Sequence, residues 1–302
     1  PKAQILYPFL LLCDYLMALA LLCAFLAALG FAIMYALIKG VGLDFGTAQL
    51  VFFRSLVALL IFSPMLLQNK HLLKTNRLKG HLLRSIFGLA SMFCLFVSAP
   101  HIPFTDLTLI IFTMPLFVTV LSYPLLKERV SRNQYFIVIA GFIGIFIATD
   151  PETNSLSIYY LLAVTGSALY GLAVITIRQL GETEAPGTTF FYFTIICTVL
   201  SGCALPFDWI SPNSMDWAYL FGIGVFGGLA QFSMIKAYKL APANLIAPAE
   251  YTQFLWAIVF GVVIWGEVPS LNTYLGALII IGAAIALSRN ISKPLRRNDN
   301  LR

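Results

Sequence analysis

Charge is what this sequence has least of. Lys, Arg, Asp and Glu make up only 11% of its 302 residues, while 60% are hydrophobic. A mean hydropathy of +0.88 lies beyond what a soluble domain keeps in water, so lipid is the expected solvent. Histidine is scarce too, with three residues. His71, His81 and His101 sit at predicted loop edges, which leaves a metal site little to build on. The five cysteines fall in apolar stretches with no C-x-x-C and no paired spacing, and they read as packing residues. No H-E-x-x-H motif is present, nor a nucleophile with its base in an apolar run, so a membrane-embedded enzyme is disfavoured and no cofactor is implied. The net charge of +6 does not point to nucleic acid, because the basic residues flank apolar runs instead of forming one patch.

What is abundant is apolar sequence in blocks of membrane length. Such blocks fall at roughly 17–38, 45–67, 81–100, 104–126, 133–149, 156–178, 187–206, 216–238, 243–265 and 271–288. Each approaches the ~20 residues that cross a hydrocarbon core of about 30 Å. They predict an all-α integral membrane protein of ten transmembrane helices. Residues 1–16 read as an N-terminal extension or interfacial segment, with a cleaved signal peptide the weaker reading. Residues 289–302 read as a basic cytoplasmic tail.

Orientation follows from the placement of Lys and Arg at the span ends. With the N-terminus cytoplasmic, 17 of the 19 fall inside, including the run from Lys70 to Arg84 and the tail from Lys293 to Arg302. Only Lys39 falls outside, and Arg54 falls within a helix. Shifting the count by one helix destroys the asymmetry. A multi-pass protein of the cell (inner) membrane with both termini cytoplasmic is expected, its basic ends resting against anionic lipid headgroups.

The chain also matches itself. At an offset of 139 residues, the separation of Phe87 from Phe226, one ungapped register runs from the first helix to the last. It pairs Phe87-Gly88 with Phe226-Gly227, Pro103 with Pro242, Thr113 with Thr252, and Lys39 with Arg178. Glu128, Ser131, Asn133 and Tyr135 meet Glu267, Ser270, Asn272 and Tyr274. The units are 17–149 and 156–288. Five helices per unit is an odd number, so the second copy enters the membrane from the opposite face: the repeat is inverted. Two halves related by an in-plane pseudo-two-fold axis can exchange conformations, which suits alternating access around a central site.

At these residues the chain resembles the drug/metabolite transporter superfamily, specifically its ten-helix EamA-type members. The resemblance rests on F-F-R-S at 52–55, H-L-L-R-S at 81–85, Pro115 in the fourth span, L-L-K-E-R at 125–129 with I-W-G-E-V at 264–268, and A-P-A-N-L-I-A-P-A-E-Y at 241–251. It covers residues 17–290 and implies secondary transport of a small metabolite through a cavity between the halves, with no particular substrate. The second copy carries Phe254 where the first has Pro115, so the two halves are expected to bend differently.

Two ionisable residues, Arg54 and Glu250, lie inside predicted spans, where a central charge costs about 2.5–3.5 kcal/mol on insertion scales and faces a cavity or a partner. Arg54 offers a planar fork to a carboxylate or phosphate, and Glu250 offers a site for an ammonium group or a transported proton. The alternative is that Arg54 snorkels and Glu250 is bonded within the bundle. Pro248 and Pro115 free backbone carbonyls that could line the cavity or serve only to kink their helices. Among the central aromatics Tyr35, Phe112, Tyr170, Tyr251 and Trp256, some stack on ligand and most pack the core. Gln231 can hydrogen-bond ligand or a neighbouring helix. Arg54, Glu250, Tyr35, Tyr170, Gln231 and Tyr251 form the candidate substrate site. Glu128 and Glu267, at helix ends, read as structural, and Gly224 and Gly228 permit close helix approach.

Export of an amphipathic or zwitterionic compound, coupled to protons through Glu250, is the expected activity. Uptake or exchange of S-adenosylmethionine or a related zwitterion is the alternative. A channel would more naturally assemble as a symmetric oligomer, whereas a transporter of this kind can act as a monomer or homodimer.

Overall fold

A computed structural model describes residues 2–126, 131–149, 157–181, 183–240, 246 and 249–291. Among them every regular element is helical: α1 (Lys2–Val41), α2 (Thr47–Gln68), α3 (Leu78–Ser98), α4 (Phe104–Ile111), α5 (Met114–Leu126), α6 (Arg132–Thr149), α7 (Ile158–Gly181), α8 (Pro186–Asp208), α9 (Ser214–Leu240), α10 (Thr252–Trp265) and α11 (Leu271–Ile291). Seven stretches are long and apolar enough to cross a membrane, one of them formed by α4 running into α5, and three shorter apolar helices at 132–148, 252–265 and 271–286 bring the spans to ten. The backbone ahead of Met17 continues α1 back to Lys2. Glu128, Pro248, residues 241–245 and the tail from Lys293 lie outside the described residues.

The chain is turned out toward lipid. Leu22, Phe136, Ile139, Ile143, Val263 and Leu278 are exposed, while Gln49, Arg54, Ser55, Arg84, Ser91, Asp106 and Gln253 are buried. That inversion is what a lipid solvent selects, since apolar side chains lose nothing there and every polar group must find a partner inside.

Helix neighbours follow the inverted repeat. The register maps α1 onto α7, α2 onto α8, α3 onto α9, the fourth span onto α10 and α6 onto α11. Accordingly α1 packs on α9 and α3 on α7, a pair that the two-fold exchanges, while α2 packs on α8 and α6 on α11 across the axis itself. Small residues let the backbones approach. A Cβ added at Gly228 would lie 2.8 Å from Ala58 Cβ, and one at Gly224 2.9 Å from the Phe53 carbonyl oxygen. The G-x-x-x-G spacing of α9 is thus filled by tight packing on α2.

Both central spans break, and at matching positions. In the first repeat the helix stops at Phe112 and restarts at Met114. In the second, Tyr251 forms the turn ahead of α10 and carries the register position of Phe112. Thr113 Oγ1 donates to the Ile110 carbonyl at 2.6 Å, and Thr252 Oγ1 donates to the Ala249 carbonyl at 2.6 Å. A threonine turning back on its own helix is common to both breaks, and such back-bonding competes with the helical ladder. Pro115 adds its own effect: lacking an N–H, it leaves the Ile111 carbonyl without a helical donor, and Ser167 Oγ reaches that oxygen from α7 at 3.4 Å.

Candidate functional site

Where the two breaks meet the crossing of α1, α2, α3, α7, α8 and α9, a cavity of about 160 Å³ opens in the core. A single water needs roughly 10–15 Å³ by the same kind of measure, so this is a chamber and not a packing defect. Its wall includes Arg54, Arg84, Glu250, Tyr35, Tyr170, Tyr251, Gln231 and Gln253. All six residues picked out as the candidate substrate site converge on it. Phe112 joins them, but Trp256 does not: its ring lies against Phe25 and Phe260.

The chamber sits on the pseudo-two-fold axis. Seven register pairs contribute both members to its wall: Phe31 with Tyr170, Arg54 with Phe193, Met92 with Gln231, Leu95 with Met234, Ile111 with Glu250, Phe112 with Tyr251, and Met114 with Gln253. In five of these the first repeat supplies an apolar side chain and the second a polar one. In these five pairs the repeat symmetry thus sets an apolar side chain against a polar one. Arg54 reverses the rule, and Arg84, also from the first repeat, joins it.

Arg84 was assigned to the cytoplasmic basic run, and the structure corrects this. Its side chain is buried, with only 3% of the residue exposed, and its guanidinium lies 3.5 Å from the centre of the Phe193 ring. The guanidinium of Arg54 approaches the same ring at 5.7 Å and donates a long hydrogen bond of 3.4 Å to Gln231 Oε1. Tyr170 lies within electrostatic reach of Glu250 and of both arginines. Cys197 lies close to both as well.

Clasps between the repeats flank the chamber at both ends. At one, Lys39 Nζ pairs with Glu267 Oε1 at 2.9 Å and donates to the Ile102 carbonyl at 2.6 Å. Glu267 Oε2 accepts the Phe104 N–H at 2.9 Å, capping α4. The structural role read for Glu267 thus has identified partners. Beside this clasp Tyr160 donates to Asp106 Oδ2 at 2.7 Å, a buried carboxylate that sequence reading passed over. At the other end Thr75 donates to Glu184 Oε1 at 2.8 Å, Arg77 to the Gln179 carbonyl at 2.7 Å, and Tyr192 to the Leu73 carbonyl at 2.7 Å. His81 stacks on Tyr192, with ring centres 4.5 Å apart. Among the described residues no cluster of His, Cys, Asp and Glu could hold a metal ion.

Comparison with known proteins places this geometry. The model of the EamA-like transporter family matches residues 18–149 and again 157–289. The pseudopaline exporter CntI of Pseudomonas aeruginosa is 28% identical over 86% of this chain and 92% of that protein. A riboflavin transporter of Vibrio cholerae is 27% identical over 90% of this chain and 94% of its own length. An S-adenosylmethionine uptake transporter of Rickettsia felis is 26% identical, covering 86% and 88%. One solved crystal structure superposes with a TM-score of 0.62 over 92% of this chain and 98% of that one, at 16% identity, a likeness of fold alone.

Proposed function

Since this chain belongs to the EamA-like transporter family, we propose that it exports a small amphipathic, zwitterionic metabolite across the cytoplasmic membrane by alternating access. The observation that carries the reading is the chamber on the pseudo-two-fold axis, whose wall holds both apolar side chains and polar ones. A ligand lying across the axis meets apolar wall with one part and Arg54, Tyr35, Tyr170, Gln231, Glu250 and Tyr251 with the other. Supporting the outward direction is the exporter among the similar proteins. Proton exchange through Glu250 supplies the drive. In this reading the protein works as a monomer or homodimer in the inner membrane, its basic loops on anionic lipid.

Uptake of S-adenosylmethionine or a related zwitterion is the second reading, favoured by Glu250 in the chamber and by the similar uptake transporters. Purified protein in proteoliposomes separates the two. Counterflow of a metabolite panel, with and without a pH gradient, is expected to yield a substrate whose accumulation follows the gradient, and Glu250→Gln is expected to lose that dependence while still exchanging substrate. A Glu250→Gln protein with the wild-type gradient dependence would rule out the coupling role.

A further inference from the structure

The second arginine of the chamber makes the site more selective than a generic zwitterion receptor. Arg84 and Arg54 descend from neighbouring helices, α3 and α2, onto one aromatic ring, that of Phe193. Phe193 occupies the register position of Arg54, so the two-fold axis carries one repeat's arginine onto the other's ring. Each guanidinium has a glycine beside it. A Cβ on Gly88, one turn beyond Arg84, would meet the Arg84 guanidinium and stand 2.8 Å from Phe193 Cε2. A Cβ on Gly227, the register partner of Gly88, would stand 3.2 Å from Arg54 Nε. Both repeats thus keep a glycine where a guanidinium must lie flat.

These are built positions. Arg54 is 4% exposed and Arg84 3%. Among the described residues Nε and Nη1 of Arg84 and Nε of Arg54 have no hydrogen-bond partner. Phe193 supplies a π face to the cations but no acceptor. A buried guanidinium with unsatisfied N–H groups calls for an anion, and its planar array of donors suits a carboxylate. Among the described residues of the wall, the two guanidiniums and the one carboxylate, that of Glu250, sum to one positive charge in excess. Two carboxylates and one ammonium on the ligand would cancel it.

We propose that Arg84 and Arg54 form a double guanidinium receptor for the two carboxylates of an acidic amino acid that carries an apolar substituent, with the ligand's amine toward Glu250 and that substituent against Phe31, Met92 and Phe112. This rests on the transporter reading and narrows its substrate class. A net-cationic ligand such as S-adenosylmethionine fits such a chamber poorly, because it adds charge of the sign already in excess.

Binding to the purified full chain tests the assignment, using N-benzylaspartate, N-benzylasparagine, benzylsuccinate and S-adenosylmethionine as probes. The first three differ by one carboxylate or by the amine and share an apolar ring. Wild-type protein is expected to bind N-benzylaspartate at least tenfold more tightly than N-benzylasparagine. Arg84→Gln and Arg84→Lys are expected to bring that ratio toward one, the lysine because it keeps the charge and loses the fork. Glu250→Gln is expected to erase instead the preference for N-benzylaspartate over benzylsuccinate. A wild-type protein that ranks S-adenosylmethionine or the monoacid first overturns the proposal without needing any variant. So does an unchanged diacid preference in a well-folded Arg84 variant. The transporter reading fails separately, if no compound of a broad metabolite panel undergoes counterflow.

Discussion

Gly88 has a hydrogen where any other residue carries a carbon, and the space is taken by Arg84 and Phe193. Gly88→Ala would force the guanidinium off the ring, an overpacking of the kind that costs about 1–3 kcal/mol. Because the strain falls on a side chain that turns inward to the chamber, the expected result is a loss of substrate affinity of about tenfold or more with a melting temperature near that of wild type. Equilibrium binding and thermal melting on the same detergent-solubilised sample check it. The position also shows what residue-level reading could see. Arg54 and Glu250 stood out because ionisable groups in mid-span are rare. Arg84 is just as deeply buried but lies six residues into α3, directly after a basic loop, where positive charge already has an explanation in lipid headgroups. The available signal was its spacing: Arg84 and Gly88 share one helix face, and Gly227 repeats that glycine beside Arg54. Asp106 was hidden in the same way, at the first turn of α4, where acidic residues are ordinary.

Among the elements, the ten spans were legible because hydropathy over 20 residues is a strong signal, and the inverted repeat was legible because its register contains no gaps. The breaks in the two central spans were sought at Pro115 and Pro248. Proline is the conspicuous helix breaker, and each span has one near its break, Pro115 after Phe112 and Pro248 before Tyr251, but the two prolines do not share a register position whereas the breaks do. The shared feature is a threonine bonded back to the carbonyl three residues earlier, which is invisible in a hydropathy profile. Pro115→Ala is accordingly expected to leave the break in place and to retain transport within about threefold. Ser167→Ala should be felt more. It removes the hydroxyl that reaches the Ile111 carbonyl and the 3.2 Å contact with Thr113. A cost of about 1 kcal/mol follows from a lost buried hydrogen bond, seen as a lower thermal midpoint with ligand selectivity intact. Equal effects from the two substitutions would show that the proline governs the break after all.

On the scale of the whole molecule, the pseudo-two-fold that brings seven register pairs to one chamber also relates its two ends. The clasp of Lys39 with Glu267 joins the first repeat to the second, and it anchors the start of α4 through the Phe104 N–H. The same register carries Lys39 onto Arg178 and Glu267 onto Glu128, so the sequence supplies a second cation and carboxylate for the opposite end. Alternating access by exchange of repeat conformations then requires the two pairs to act in opposition: closing one end with Lys39 and Glu267 goes with opening the other. Glu267→Gln weakens the first pair and removes the carboxylate charge from the α4 cap. It is expected to shift the population by about 1 kcal/mol, or roughly fivefold, toward the state open at that end. Glu128→Gln should shift it the other way. A cysteine placed at Ser91, on the chamber wall, in a background stripped of the native cysteines, reports both shifts through its labelling by an impermeant thiol reagent applied to each side of sealed vesicles. Glu267→Gln should speed labelling from one side and slow it from the other, and Glu128→Gln should reverse the two. Labelling that moves in the same direction for both variants would mean that the ends are not related by the repeat, and that the symmetry of the fold is one of packing alone.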